Sequence, residues 1–86
     1  MTDLNKIWVY VLLDRNGRCY IGITRRLRRR IAEHNAGRTR ADRGRGPFKL
    51  VHKEEFGSYA EARAREKWLK SGQGREWLKS RMAAPS

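Results

Sequence analysis

Two apolar runs that flank a short polar turn constrain the fold most strongly. Residues Ile7–Leu13 are β-branched, aromatic or aliphatic, and this run (IWVYVLL) ends at DRNG. The pair Asn16-Gly17 is a strong signal for a two-residue hairpin loop, because both residue types tolerate positive φ. The run RCYIGI follows directly. The sequence therefore predicts that the first two elements form an antiparallel β-hairpin.

A helix and a loop are expected after the hairpin. Thr24 can cap a helix over residues 25–36, and Gly37 is placed to end it. Residues 38–46 then carry arginines interspersed with glycines, which is typical of a mobile loop.

The segment after this loop predicts a third strand. Residues 47–56 alternate between apolar and polar side chains, which is the period of a strand with one buried face. The alternation is expected to put Phe48, Leu50 and His52 on one face of the sheet.

Two further helices are predicted toward the C-terminus. Ser58 can cap a helix over residues 59–71, with Glu61 at its third position. Gly72 and Gly74 are expected to break this helix before a short last helix at 75–82. The order β-β-α-β-α-α indicates an α/β (α+β) fold, with a small three-stranded antiparallel sheet flanked by helices.

Length and charge limit the classes of function. A chain of 86 residues is expected to form a single domain over residues 1–86, with its core at about 7–71. The chain carries 21 Lys and Arg against 9 Asp and Glu, a net charge of +12. Such an excess repels itself, so its usual partner is a polyanion, with nucleic acid favoured over a membrane surface. A heavily solvated surface is the alternative.

Cysteine use and hydropathy bear on the compartment. Cys19 is the one cysteine, so no internal disulfide can form. Its place in a predicted strand suggests a small buried hydrophobe. The longest apolar run, Ile7–Leu13, is far too short to cross a bilayer. We expect a soluble, cytoplasmic protein with no membrane partner.

The first helix places basic residues beside its apolar stripe. Leu27 and Ile31 share the stripe at about 100° per residue. Arg30 and His34, four residues apart, lie on its flank, and Arg26 continues the row. Three further arginines point more toward water: Arg25, Arg28 and Arg29. An ordinary surface arginine and a histidine near a helix C-terminus remain alternatives to a functional pair.

The second helix carries a carboxylate in an apolar stripe. Glu66 shares one narrow face with Tyr59, Ala62 and Leu69. A buried carboxylate without a partner is unfavourable, so it needs a cation. A salt bridge to one of the many basic residues and a ligand role for a hard divalent cation are both compatible with this position.

Four segments together resemble a known family. They are VYVL in the first strand, CYIG in the next strand, RRIAEH in the first helix and AREKWLK in the later helix. In order and in spacing this set is similar to the GIY-YIG nuclease domain. The resemblance covers about residues 8–70 and is nearest to the small single-domain branch. Two positions depart from the family pattern: Trp8 stands where the first motif has glycine, and no asparagine follows Asn35, where many members have a late active-site asparagine.

The resemblance implies a set of catalytic residues. These are Tyr10, Tyr20, Arg30, His34 and Glu66, with Glu66 holding Mg²⁺ (or Mn²⁺). In this scheme Arg30 holds the phosphate with a planar fork, and Tyr20 orients or deprotonates the attacking water. Tyr10 and His34 complete a hydrogen-bond network. Which tyrosine acts as the base is left open by the sequence.

The same resemblance implies a metal-dependent endonuclease that hydrolyses DNA phosphodiester bonds. Selection of a particular DNA structure during repair or processing, RNA as a substrate, and a protein partner that supplies specificity are left open. The residues expected to contact the substrate backbone are Gly22, Arg25, Arg26, Arg29, Arg38, Arg40, Arg43 and Arg45. A binding module of the same fold without cleavage activity and a domain that docks an acidic protein are the alternative functions.

Overall fold

The computed structural model describes residues 6–37 and 46–83, which form three strands and three helices. The elements are β1 (Ile7–Leu13), β2 (Cys19–Thr24), α1 (Leu27–Asn35), β3 (Lys49–Phe56), α2 (Tyr59–Leu69) and α3 (Gly72–Ala83). Both strand pairings are antiparallel, and the sheet order is β2-β1-β3. The predicted β-β-α-β-α-α order and fold class are confirmed.

The central strand β1 is buried on both faces. Ile7, Val9 and Val11 pack with residues of α2 and α3 on one face. Tyr10 and Leu12 lie on the other face, where Phe48 and the apolar stripe of α1 cover them. Burial on both sides explains why β1 reads as a continuous apolar run rather than an alternating one.

The β1–β2 turn depends on Asp14. Its Oδ1 atom accepts hydrogen bonds from the backbone N–H of Asn16 at 2.8 Å and of Arg18 at 2.9 Å. Gly17 has φ +82°, and no other described residue of this turn has positive φ. The N–H of Asp14 donates to the carbonyl of Arg18, so the loop has three residues, 15–17. The predicted hairpin is present, but the expected two-residue loop is wrong, since that turn type needs two positive φ angles.

A β-bulge changes the expected faces of β3. The register with β1 shifts so that Val11 pairs with His52 while Leu12 pairs with Leu50. Leu50 packs on the α1 side, whereas Val51 packs against the opposite cluster and the His52 ring lies 5.3 Å from that of Trp77. The expectation that His52 shares a face with Leu50 is therefore wrong, because the extra residue interrupts the alternation.

The helix boundaries differ from the predicted ones by at most three residues, and α2 begins at the predicted residue 59. α1 begins at Leu27 rather than residue 25, because Thr24 is still the last residue of β2. The Thr24 hydroxyl accepts from Arg26 N–H at 3.0 Å, but the N-cap Arg26 makes no side-chain capping bond. At the other end Gly37, with φ +68°, ends the helix as expected.

Gly72 and Gly74 lie in the first turn of α3 instead of forming a separate break. Ser71 Oγ accepts from Gly74 N–H at 3.2 Å and caps the new helix. Gly74 packs directly on the end of α2, where an added Cβ would clash with the carbonyl of Trp68 and lie 2.5 Å from Leu69 Cα. The expectation that Cys19 is a buried hydrophobe is also wrong, since Cys19 is exposed at the start of β2. Tyr59, at the start of α2, is exposed as well.

A guanidinium anchors α2 to the sheet. Arg65 donates to both carboxylate oxygens of Glu54 at 2.8 and 3.0 Å. Its guanidinium carbon lies 4.6 Å from the Trp68 ring centroid and 4.9 Å from that of Trp77. Burial alone would raise the pKa of Glu54, but the hydrogen bonds from Arg65 and His52 outweigh it and lower that pKa. This anchor fixes the helix that carries Glu66.

Substituting Gly74 tests the α2–α3 junction. Gly74→Ala is expected to lower the free energy of unfolding by about 1–3 kcal/mol, because the methyl group forces the two helices apart. Gly72→Ala is the matched control, since its added Cβ has no neighbour within 4 Å. It should be neutral or stabilise by up to about 1 kcal/mol. Equal denaturant midpoints for the two variants would contradict the close helix approach.

Acid should weaken the turn through Asp14. Burial would raise the pKa of this carboxyl, but the N–H bonds from Arg18 and Asn16 and the Tyr20 hydroxyl bond lower it overall. A carboxyl with a lowered pKa stabilises the folded state fully above about pH 5 and loses this effect as the pH falls through the folded pKa. The stability difference between the wild type and Asp14→Asn should therefore narrow below about pH 4, as measured by urea unfolding. Glu76→Gln controls for loss of one charge at an exposed site, and a difference that stays constant with pH would contradict this role of Asp14.

Candidate active site

One open cleft of about 890 Å³ runs over the outer edge of β2, between α1 and the α2–α3 pair. The structure brings six of the sequence-predicted site residues to its walls: Tyr10, Tyr20, Gly22, Arg30, His34 and Glu66. They come from two strands and two helices that lie far apart in the chain. Folding therefore creates a site that no single segment contains.

Gly22 lets the Tyr10 side chain reach the cleft. The two residues are paired across β1 and β2, and the Tyr10 ring lies over the Gly22 backbone. A Cβ at position 22 would clash with the Tyr10 hydroxyl and lie 2.6 Å from its Cζ atom. The sequence indicated a close approach at this glycine, and the structure identifies the approaching group as the Tyr10 phenol.

The Tyr10 hydroxyl bonds to two residues of α1. It lies 3.0 Å from Nε2 of His34 and accepts from Nε of Arg30 at 3.3 Å. In the His34 tautomer that carries its ring proton on Nδ1, the phenol donates to Nε2 while its oxygen accepts from Arg30. His34 is buried, with 8% of its surface exposed, one turn after Arg30 on the helix. The three side chains form a connected network that links α1 to the central strand.

Arg30 stays positively charged in this position. The hydrogen bond to Tyr10 raises the pKa of its guanidinium, against a smaller opposing effect of burial. Glu33 adds to the rise, since Arg30 Nη1 lies 3.3 Å from its Oε1 atom. A guanidinium with fixed charge and fixed orientation suits the recognition of a phosphate.

Tyr20 bonds to a carboxylate that sequence reasoning missed. Its hydroxyl donates to Oδ2 of Asp14 at 3.2 Å, and its ring packs edge-on against Phe48 with centroids 5.4 Å apart. Asp14 is buried, with 5% exposed. The only signal in the sequence was the place of Asp14 at the turn, which indicates a backbone role rather than a contact with Tyr20.

Glu66 faces the cleft from α2 with its side chain 13% exposed. Lys70 Nζ lies 3.1 Å from its Oε2 atom, and Arg63 Nη1 lies 3.6 Å from its Oε1 atom. The salt-bridge alternative from the sequence is therefore present. The carboxylate is also an oxygen ligand of the kind that Mg²⁺ takes, and a hydrated ion needs only one or two such protein ligands. Within residues 6–37 and 46–83 no group of three or more His, Cys, Asp or Glu is placed to hold an ion.

A basic wall of the cleft was not predicted. Four cationic residues line it, from the turn, from the residue that follows α2 and from α3: Arg18, Lys70, Arg75 and Lys79. Sequence periodicity could place α3 but could not show that the helix folds back beside β2, so these residues were not distinguished from other surface charges.

The remaining predicted contacts fall in three places. Arg25, Arg26 and Arg29 line a smaller cavity beside the cleft. Arg38, Arg40, Arg43 and Arg45 lie outside the described residues. Trp8 pairs regularly with Thr24 and Glu55, with Lys53 Nζ 5.4 Å from its ring centroid, and it does not line the cleft. The ring that replaces the motif glycine thus leaves both the strand and the cleft intact.

None of the helices in the described part of the chain combines the length and apolarity that a bilayer span requires.

Comparison with known proteins gives a consistent result. A family model described as the GIY-YIG catalytic domain matches residues 6–79. A UPF0213 protein of Streptococcus pneumoniae is 43% identical over 67 residues, which cover 77% of this chain and 68% of the relative. A UPF0213 protein of Halobacterium salinarum is 46% identical over 63 residues, covering 72% and 82%.

Solved structures agree with the sequence relatives. The solution NMR structure of a UPF0213 protein from Bacillus halodurans superimposes with a TM-score of 0.58 at 37% identity, covering 93% of this chain and 88% of the other. A solution NMR structure of a protein from E. faecalis gives a TM-score of 0.57 at 32% identity, covering 100% and 96%. The match spans both strand motifs, both motif helices and most of α3, and the chain therefore belongs to the GIY-YIG nuclease family.

Proposed function

We propose that this protein is a metal-dependent endonuclease that hydrolyses phosphodiester bonds in DNA. The observation that carries the proposal is the meeting of the Tyr10–His34–Arg30 network and the Glu66 carboxylate on one basic cleft. Hydrolysis of a phosphodiester needs a group that binds the phosphate, a route for the proton of the attacking water, and stabilisation of the leaving oxygen. The residues of the cleft supply the first two.

Arg30 binds the phosphate. Its Nε atom is committed to Tyr10 and its Nη1 atom to Glu33, so the plane of the guanidinium is fixed before a substrate arrives. The charge that develops on the phosphate oxygens in the transition state then meets a cation that needs no reorientation. Lys70, Arg75 and Lys79 extend the positive field along the cleft.

Tyr10 and His34 provide the proton route. The route requires the His34 tautomer with its proton on Nδ1, in which the phenol donates to Nε2. A water bonded to the phenol oxygen can then pass a proton through Tyr10 to the imidazole. Tyr20 is less suited to this task, because its hydroxyl proton is committed to Asp14. We assign Tyr20, which also lines the cleft, to orienting the water and the phosphate.

Glu66 would hold a single Mg²⁺ or Mn²⁺ ion, with water and substrate oxygens as the other ligands. When bound, the ion would neutralise charge on the phosphate and on the leaving oxygen. When no metal ion is bound, Lys70 and Arg63 compensate the negative charge of Glu66. Their contacts leave the carboxylate accessible to the cleft that the substrate enters.

Binding should depend on the backbone rather than the bases. Apart from Glu66, the charged residues that line the cleft are cations suited to phosphates, and counterion release makes such binding strongly dependent on salt. The cleft is open, and the described residues contain no separate element for reading bases. Both features suit selection of a flap, nick or branch by its shape. We assign the protein to DNA repair or processing in the cytoplasm.

Replacing the metal ligand tests the proposed activity. Glu66→Gln keeps the shape of the side chain and should lower Mg²⁺-dependent cleavage of single-stranded, nicked and branched DNA by at least about 100-fold. Glu61→Gln, an exposed carboxylate on the same helix, is the matched control and should cleave like the wild type. Cleavage that persists in Glu66→Gln would overturn the metal role. Salt-sensitive binding with no cleavage by the wild type in Mg²⁺ or Mn²⁺ would instead establish a binding module, in which the ion pairs of Glu66 are purely structural.

The assignment of the proton route is tested by the tyrosines. Tyr10→Phe should lower kcat by about 100-fold or more, because it removes the hydroxyl that joins the water to His34. Tyr20→Phe should lower kcat by about 10-fold or less and mainly change KM. Tyr59→Phe, on an exposed side chain, controls for loss of a hydroxyl. A larger kcat loss in Tyr20→Phe than in Tyr10→Phe would reverse the two roles.

A further inference from the structure

A second cavity, of about 380 Å³, adjoins the cleft where β2 passes into α1. Four arginines are among the residues that line it: Arg25, Arg26, Arg29 and Arg30. We call it the arginine cavity. Ile23 and Arg30 line both the arginine cavity and the cleft, so the two spaces are direct neighbours.

The lining of the arginine cavity carries an excess of positive charge. Glu33 is the one carboxylate among the described residues that line it, which leaves four positive charges and one negative charge, a net +3. Glu33 is shared by two of the arginines, at 3.6 Å from Arg29 Nε and 3.3 Å from Arg30 Nη1. Clustered like charges disfavour the folded state, and a bound anion would relieve this repulsion.

From this arrangement we propose that the arginine cavity binds the phosphate next to the scissile one on the same strand. The proposal rests on the proposed function, because it takes the cleft as the site of the scissile phosphate. Arg30 stands between the two spaces and contacts Tyr10 on one side and Glu33 on the other. It fixes the position of the scissile phosphate relative to its neighbour, so the cavity sets the register of the strand in the cleft.

Binding without cleavage tests the arginine cavity. Fluorescence anisotropy in chelator, over a series of salt concentrations, gives the affinity for a labelled single strand and a nicked duplex. Arg25→Ala combined with Arg29→Ala should weaken binding about 10-fold and reduce the slope of log K against log salt by about one, the signature of a single lost phosphate contact.

The matched control removes the same charge elsewhere. Arg28 is exposed on α1 and does not line the arginine cavity, and Lys67 is exposed on α2. Arg28→Ala combined with Lys67→Ala should leave the slope close to that of the wild type. Equal losses of affinity and slope in the two double variants would mean that only overall charge matters, which overturns the proposal.

An independent measurement needs no protein variant. Replacing single phosphates of a cleaved oligonucleotide by neutral methylphosphonates should lower kcat/KM about 10-fold or more at one position beside the cut. A uniform, small effect at all flanking positions would contradict a defined cavity.

A free anion must be distinguished from a nucleic-acid backbone. Inorganic phosphate should compete with the oligonucleotide for the wild type and much less for the Arg25→Ala, Arg29→Ala variant. If phosphate binding depends on these arginines while the DNA slope does not, the cavity is a site for free anions and the proposal fails. The binding assay works without turnover, so loss of the nuclease assignment and loss of this site are separate results.

Discussion

The Tyr10 hydroxyl is the atom on which the arrangement of this protein depends. Three conditions determine its position. Position 22 must lack a side chain so that the Tyr10 ring can lie over it, and His34 and Arg30 must both reach the hydroxyl from one face of α1. The contact ties α1 to the buried central strand. The same contact orients the Arg30 guanidinium, to which we assign phosphate binding, so the stability of the fold and the geometry of the candidate site rest on one network.

The two faces of the sheet differ in the kind of side chains that they bury. The face toward α2 and α3 holds most of the buried aliphatic side chains, including Val9 and Leu69, and the Arg65–Glu54 pair fixes α2 against β3. The face toward α1 buries fewer side chains and is more polar, with Tyr10 among its buried residues. Because β2 is an edge strand and carries a glycine, groups from both faces meet over its edge. The candidate site therefore lies where the aliphatic layer and the more polar layer meet.

Sequence patterns predicted the elements, their order and the family motifs, because each depends on local signals such as periodicity, caps and glycines. The predictions were wrong or incomplete where contacts between distant parts of the chain determine which face or cavity a side chain reaches. The bulge that turns His52 to the opposite face of the sheet follows from pairing with β1, and no alternation encodes it. The sequence indicated only that Asp14 lies at the turn. Its hydrogen bond to Tyr20 depends on the three-residue loop. Arg75 and Lys79 joined the cleft only through the tight α2–α3 junction at Gly74.

The position of β2 has a consequence for colloidal behaviour. It is an outer strand of the sheet, and an outer strand with free backbone groups is a template on which a second chain can add by β-pairing. Here that border opens into a groove flanked by cations such as Arg18 and Arg75. Two such borders repel each other, so the groups that make the groove attractive to a polyanion also act as gatekeepers against self-association. Charge and strand order together keep this edge available for its ligand.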